Sequence, residues 1–118
     1  MQKLYDTKNL LDTHQGDTEF IKHIAGLFIQ HMPVMLAELK KAFANCDWQN
    51  MYFYAHKMKA SIDLFAVTGL AETIRAVEQQ AKAGVPADNL GQLVADVDRV
   101  ITECVGQMKE EYEISGKP

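Results

Sequence analysis

The sequence is poor in the residues that interrupt or cross-link a chain: two cysteines, three prolines and seven glycines in 118 residues. Cys46 and Cys104 lack C-x-x-C spacing, so neither a disulfide scaffold nor a thiolate metal site is expected, and both read as reduced, mostly buried thiols. Long apolar runs are also missing. The longest, Ile24 to Ile29, falls far short of the ~20 residues that a membrane-spanning helix needs. The first dozen residues hold no apolar core of signal-peptide length, which points to the cytoplasm. No basic run exceeds Lys40-Lys41, and the net charge is −4. A nucleic-acid partner needs a basic face and a membrane-surface helix needs a basic polar side, so neither is expected.

What is present is ordinary for a globular domain: 47% hydrophobic and 24% charged residues. A chain of this length forms one domain (1–118, with its core over about 4–112), burying roughly 65% of its unfolded surface without staples. Apolar positions recur at helical spacing nearly throughout. A short helix is expected over about Thr7–Thr13, capped by Asp6 and ended at Gly16. Asp17 opens a long one with Phe20, Ile21, Ile24, Phe28, Met35, Leu36, Leu39 and Phe43 inward, kinked but not stopped at Pro33. After a break at Asn45-Cys46, Asp47 caps a third helix from Trp48 to about Asp63 with a stripe of Met51, Ala55, Met58 and Ile62. A fourth uses Leu70, Ile74, Val77 and Ala81, and ends at Gly84-Val85-Pro86. Asp88 caps a fifth, whose stripe runs from Leu90 through Leu93, Val94, Val97, Val100, Ile101, Cys104 and Val105 to Met108, followed by a polar tail, 115–118. The predicted fold is all-α: an antiparallel up-down-up-down four-helix bundle with a short extra N-terminal helix.

Few chemistries fit such a bundle. A di-iron centre needs Glu-x-x-His pairs, and none occurs; none of His14, His23, His31 and His56 sits four residues from another, so no metal site is expected. Glycine-rich phosphate loops and nucleophile elbows are missing too. One segment stands apart: Ala55-His56-Lys57-Met58-Lys59-Ala60-Ser61. At 100° per residue, His56 points about 130° away from the centre of the core stripe and faces solvent. Phe53 points almost directly outward, which hints at a docking surface. Neutral imidazole is a good nucleophile near pH 7, and an exposed ring nitrogen can take a phosphoryl group. Lys59, one turn on and read as an exposed lysine, can hold the added charge.

That heptad resembles the Ala-His-x-Leu-Lys-Gly-Ser signature of histidine-containing phosphotransfer (HPt) domains. The likeness extends over about residues 4–112, through Tyr5-Asp6, Leu10-Leu11, Gly16-Asp17, Leu39, Ala42, the Asp47-Trp48 turn, Leu64-Phe65-Ala66 and Leu70. The resemblance implies a phosphocarrier in a two-component phosphorelay, without intrinsic kinase activity. His56 accepts a phosphoryl group through Nε2 from a receiver-domain aspartate and passes it to another receiver. Lys59 matches the lysine near the phosphate, and Lys57 a position that is often basic. Glu78, with Gln79 beside it, falls where the family commonly has glutamine; a glutamate repels phosphate unless neutralised, and Arg75 one turn earlier is placed to do so. Ala60 replaces the usual glycine and narrows access, and Asp63, two turns from His56, adds a negative charge.

The docking face is expected around Phe53, His56, Lys57 and Ala60, with Gln49 and Lys59 at its margin. No bound cofactor is implied, since Mg²⁺ resides on the receiver. The partners implied are receiver domains of response regulators or a hybrid sensor kinase, met by a monomer. Two other readings fit the bare helical pattern: a non-catalytic interaction adaptor with an incidental histidine, and the dimerisation domain of a sensor kinase.

Overall fold

The structure, a computed structural model, describes residues 3–112. All regular elements among the described residues are helices: α1 (Lys8–Thr13), α2 (Thr18–Ala44), α3 (Trp48–Leu64), α4 (Leu70–Ala83) and α5 (Leu90–Glu111). Both α2 and α4 pack against α3 and against α5, so the four long helices close around one core; α1 rests on α2. The polar tail expected over 115–118 lies outside the described residues.

Helix starts follow local chemistry. The Asp17 carboxylate accepts the Phe20 N–H at 3.0 Å, and Asp47 accepts the Asn50 N–H at 3.3 Å, each satisfying a donor that the first turn leaves free. Thr7, not Asp6, holds the N-cap position of α1, although Asp6 still accepts the Lys8 N–H at 2.8 Å. The expected Asp88 cap is not made. Asn89 occupies the N-cap position of α5, and its side-chain oxygen accepts from Gln80 Nε2 at 3.1 Å. Gln80 also accepts the Ala87 N–H at 2.9 Å, so this connection is tied to α4 rather than to its own helix. At the end of α4, Gly84 takes φ +69°, a left-handed conformation that costs glycine little.

α2 continues through Pro33 without a stop. Its buried line is Ile21, Ala25, Phe28, Met32, Leu36, Leu39 and Ala42. Phe20, Ile24, Met35 and Phe43, expected inside, are half-buried on its flanks. The buried line takes in Ala25 and Met32, and the neighbouring apolar rows fall to either side of it. By length and composition α2 is apolar enough to cross a bilayer, but these side chains pack into the bundle core. Cys104 is buried, and burial pushes its thiol up to about 12. Cys46 corrects the expectation of a buried thiol: it is exposed, at φ +53° in the three-residue connection between α2 and α3.

Candidate functional site

The orientation of α3 fixes the site. Met51, Ala55, Met58 and Ile62 are each fully buried, and together they lock the helix about its axis. Burying each large side chain contributes roughly 1.5–3 kcal/mol, so rotating α3 to hide the opposite face is strongly disfavoured. That opposite face carries Phe53, 48% exposed, with His56, Lys57 and Ala60, all exposed. The His56 side chain is 57% exposed. Gln49 lies on the same outward side near the start of the helix. Lys57 Nζ stands 5.0 Å from the centre of the Phe53 ring, whose edge meets Tyr54.

α4 brings the decisive partner. Glu78 is 7% exposed, and each carboxylate oxygen takes one group from α3. Oε2 lies 2.6 Å from His56 Nδ1, and Oε1 accepts from Lys59 Nζ at 3.0 Å. Burial alone would raise the Glu78 carboxyl, but the hydrogen bonds from His56 and Lys59 outweigh it and hold it below the usual carboxylate range. An ionised carboxylate can only accept, so His56 Nδ1 carries the proton in this contact. In the neutral ring the lone pair then falls on Nε2. Tyr52, one turn before His56, stacks on the imidazole with centroids 5.7 Å apart and planes 21° from parallel.

This arrangement corrects two expectations. Arg75 does not neutralise Glu78 by contact. It pairs with Asp63 through Nη1–Oδ1 at 3.1 Å and Nη2–Oδ2 at 2.6 Å, and that fork holds the Asp63 carboxyl low. The compensation of Glu78 comes from His56 and Lys59 instead. Lys59 is not an exposed lysine either: its side chain is 27% exposed and its ammonium is held by a buried carboxylate. Gln79 is exposed on α4, and no hydrogen bond joins it to the site among the described residues. Sequence reasoning missed Tyr52, although a tyrosine four residues before a histidine was a readable signal.

Neither curated proteins nor solved structures gave a match. A family model described as Hpt domain matches residues 23–111. The chain belongs to the Hpt domain family. Hpt domains carry phosphoryl groups on histidine in phosphorelays, as carriers rather than catalysts, and meet the receiver domains of response regulators or hybrid kinases. The matched span contains α3, α4 and α5 entire, and therefore all of the groups around His56. No cluster of three or more His, Cys, Asp or Glu able to hold a metal occurs among the described residues.

The Glu78 clamp has a pH signature. Its folded pKa lies below the unfolded value of about 4.3, so the stabilisation is present above that value and is lost as pH falls through the folded pKa. Melting temperatures of wild type and Glu78→Gln should therefore differ most at neutral pH and converge below about pH 4. A gap that stays constant from pH 7 to pH 3 would contradict the ionised clamp.

Proposed function

We propose that this Hpt domain is a phosphorelay carrier in which His56 Nε2 accepts a phosphoryl group from one receiver aspartate and yields it to another. The observation that carries this reading is the pairing of an exposed imidazole with a buried carboxylate at Nδ1, which leaves Nε2 as the nucleophilic nitrogen. Lys59 is the phosphate-stabilising cation, Lys57 and the small Ala60 border the phosphoryl position, and Glu78 supports the ring. Gln79 lies next to Glu78 on α4 and is exposed. Transfer relies on positioning and charge neutralisation more than on acid–base chemistry. The chain itself binds no cofactor, because Mg²⁺ belongs to the receiver, and it has no kinase activity of its own.

The receiver docks on the outward side of α3, around Gln49, Phe53, Lys57 and Ala60. Exposed Leu64 extends this apolar centre along the helix, and exposed Leu27 lines a groove of about 170 Å³ with Leu64 and Ser61 where α2 meets α3. Residues 4–112 act as one antiparallel up-down-up-down bundle, monomeric and cytoplasmic.

The test is transfer from a phosphorylated receiver of the same organism. Acid-labile, alkali-stable label should appear on the chain and map to His56 by peptide mass spectrometry. Label on another residue, or none with any receiver, would refute the assignment. Lys59→Ala should slow transfer roughly tenfold to a hundredfold, as loss of a charge-stabilising donor does. It should also cost about 1–3 kcal/mol in urea denaturation, because the buried Glu78 carboxylate loses one of its two partners. Unchanged transfer and unchanged stability would contradict both roles.

A further inference from the structure

The seam between α2 and α5 holds a groove that phosphoryl transfer does not use. Both α2 and α4 pack against α3 and α5, so this seam lies diagonally across the bundle from the α3–α4 seam where His56 meets Glu78. The groove has a volume of about 210 Å³. Leu36, Ile101 and Val105 line it, and all three are buried members of the core. Pro33 of α2 adds its ring, and Lys109 of α5 adds an ammonium group. Along α5 the lining runs from Ile101 to Lys109, about 12 Å at the rise of a helix. An apolar cavity of about 150 Å³ already takes a benzene ring, so this trough has room for roughly eight to ten heavy atoms.

Two of the lining residues are poor choices for a helix interior. Pro33 has no N–H, so the Ile29 carbonyl one turn back loses its helical donor. Gly106 belongs to one of the weakest helix-forming types. Nothing in the chain's own packing calls for it, since a Cβ there would meet no atom within 4 Å. Its effect is to leave the α5 wall of the groove low.

Charge gives the trough a polarity. Lys109 makes no ion pair among the described residues. Asp98, three residues before Ile101, is held by Lys40 at 2.8 Å, and the Thr102 hydroxyl donates to it. Glu103 and Glu110 are exposed on α5, and no carboxylate lines the groove among the described residues. An apolar trough therefore ends in an ammonium group that lacks a counter-ion.

We infer that the α2–α5 groove binds a medium-chain aliphatic carboxylate, with the chain along Pro33, Leu36, Ile101 and Val105 and the carboxylate on Lys109 Nζ. The chain follows from the length and apolar lining of the trough, and the anionic end from the lone ammonium. An esterified acyl chain has no charge to offer Lys109, so the free acid is the form that fits.

The probe is octanoate, titrated into the ¹⁵N-labelled full chain at pH 7.5. Amide signals of Leu36, Ile101, Val105 and Gly106 should shift and saturate together, with a dissociation constant below about 1 mM. Octanol, an uncharged chain of the same length, should bind roughly fivefold more weakly. Lys109→Glu should weaken octanoate roughly tenfold and leave octanol unchanged. Gly106→Leu fills the trough, and should weaken both ligands at least tenfold without lowering the melting temperature, because leucine is the better helix former. Absence of saturable shifts at these residues overturns the inference, as does equal affinity for octanoate and octanol, or octanoate binding that Lys109→Glu leaves unchanged. Shifts of equal size at exposed Leu27, Phe53 and Leu64 would show adsorption to any apolar surface and overturn it too. No phosphoryl donor enters the titration, so its outcome is independent of the carrier reading.

Discussion

His56→Gln should take phosphoryl labelling to background while leaving the melting temperature within about 4 °C of wild type. The two halves of that expectation have separate causes. A carboxamide nitrogen is conjugated with its carbonyl and offers no lone pair to phosphorus, so no slower version of the same chemistry remains. The fold has little at stake, because the His56 side chain is 57% exposed and contributes nothing to the stripe of α3. Its one buried obligation is the hydrogen bond to Glu78, and a glutamine amide can donate in its place. Phosphotransfer with a radiolabelled receiver, together with a thermal melt on the same preparation, checks both halves. Retained label would end the role of His56. A lost label with a collapsed melt would show that the ring supports the bundle rather than standing on it.

The second large effect lies two residues away and points the other way. Met58→Asp should unfold most of the chain at 25 °C. Met58 is fully buried between its stripe neighbours Ala55 and Ile62. Truncating a buried methionine costs about 2–5 kcal/mol by itself, and an unpaired buried carboxylate adds several more. Domains of this size are stable by only about 5–15 kcal/mol. The neighbouring Lys57→Asp, on the exposed face, should change stability by no more than about 0.5 kcal/mol. Far-UV circular dichroism with a urea titration separates the two. If Met58→Asp and Lys57→Asp unfold at similar urea concentrations, the assignment of inner and outer faces on α3 is wrong.

These contrasts show how much of the molecule could be read from spacing alone. The inner faces of α3 and α4 follow from apolar residues three and four apart, and Met51, Ala55, Met58 and Ile62 are buried as the pattern requires. The outward position of His56 is the complement of that stripe. On α2 the same reasoning puts Phe20 and Phe43 too deep, since a helix with several adjacent apolar rows does not say by spacing which row faces the core. Polar partnerships were the least legible. Arg75 is three residues from Glu78 on one helix, but its guanidinium reaches across to Asp63, where it finds a two-pronged match. Glu78 was placed near His56 by family spacing, while its simultaneous hold on Nδ1 and Lys59 depends on the lateral fit of α3 against α4, which periodicity does not encode. Asn89 likewise serves Gln80 across a loop rather than its own helix.

The stretch before α1 carries a practical lesson about where such a domain can be cut. Leu4 accepts the Thr68 N–H at 2.7 Å, Asp6 donates to the Phe65 carbonyl at 2.8 Å, and the Tyr5 ring meets the edge of Phe65. Leu4, Tyr5 and Asp6, with α1 and the first turn of α2, precede the residues that the family model matches. Boundaries drawn by homology would therefore strip Tyr5, Leu10 and Ile21 from the interior and unfasten the link that leads into α4. The matched span is shorter than the packed unit, and a fragment trimmed to it should be handled as a damaged protein rather than a minimal one.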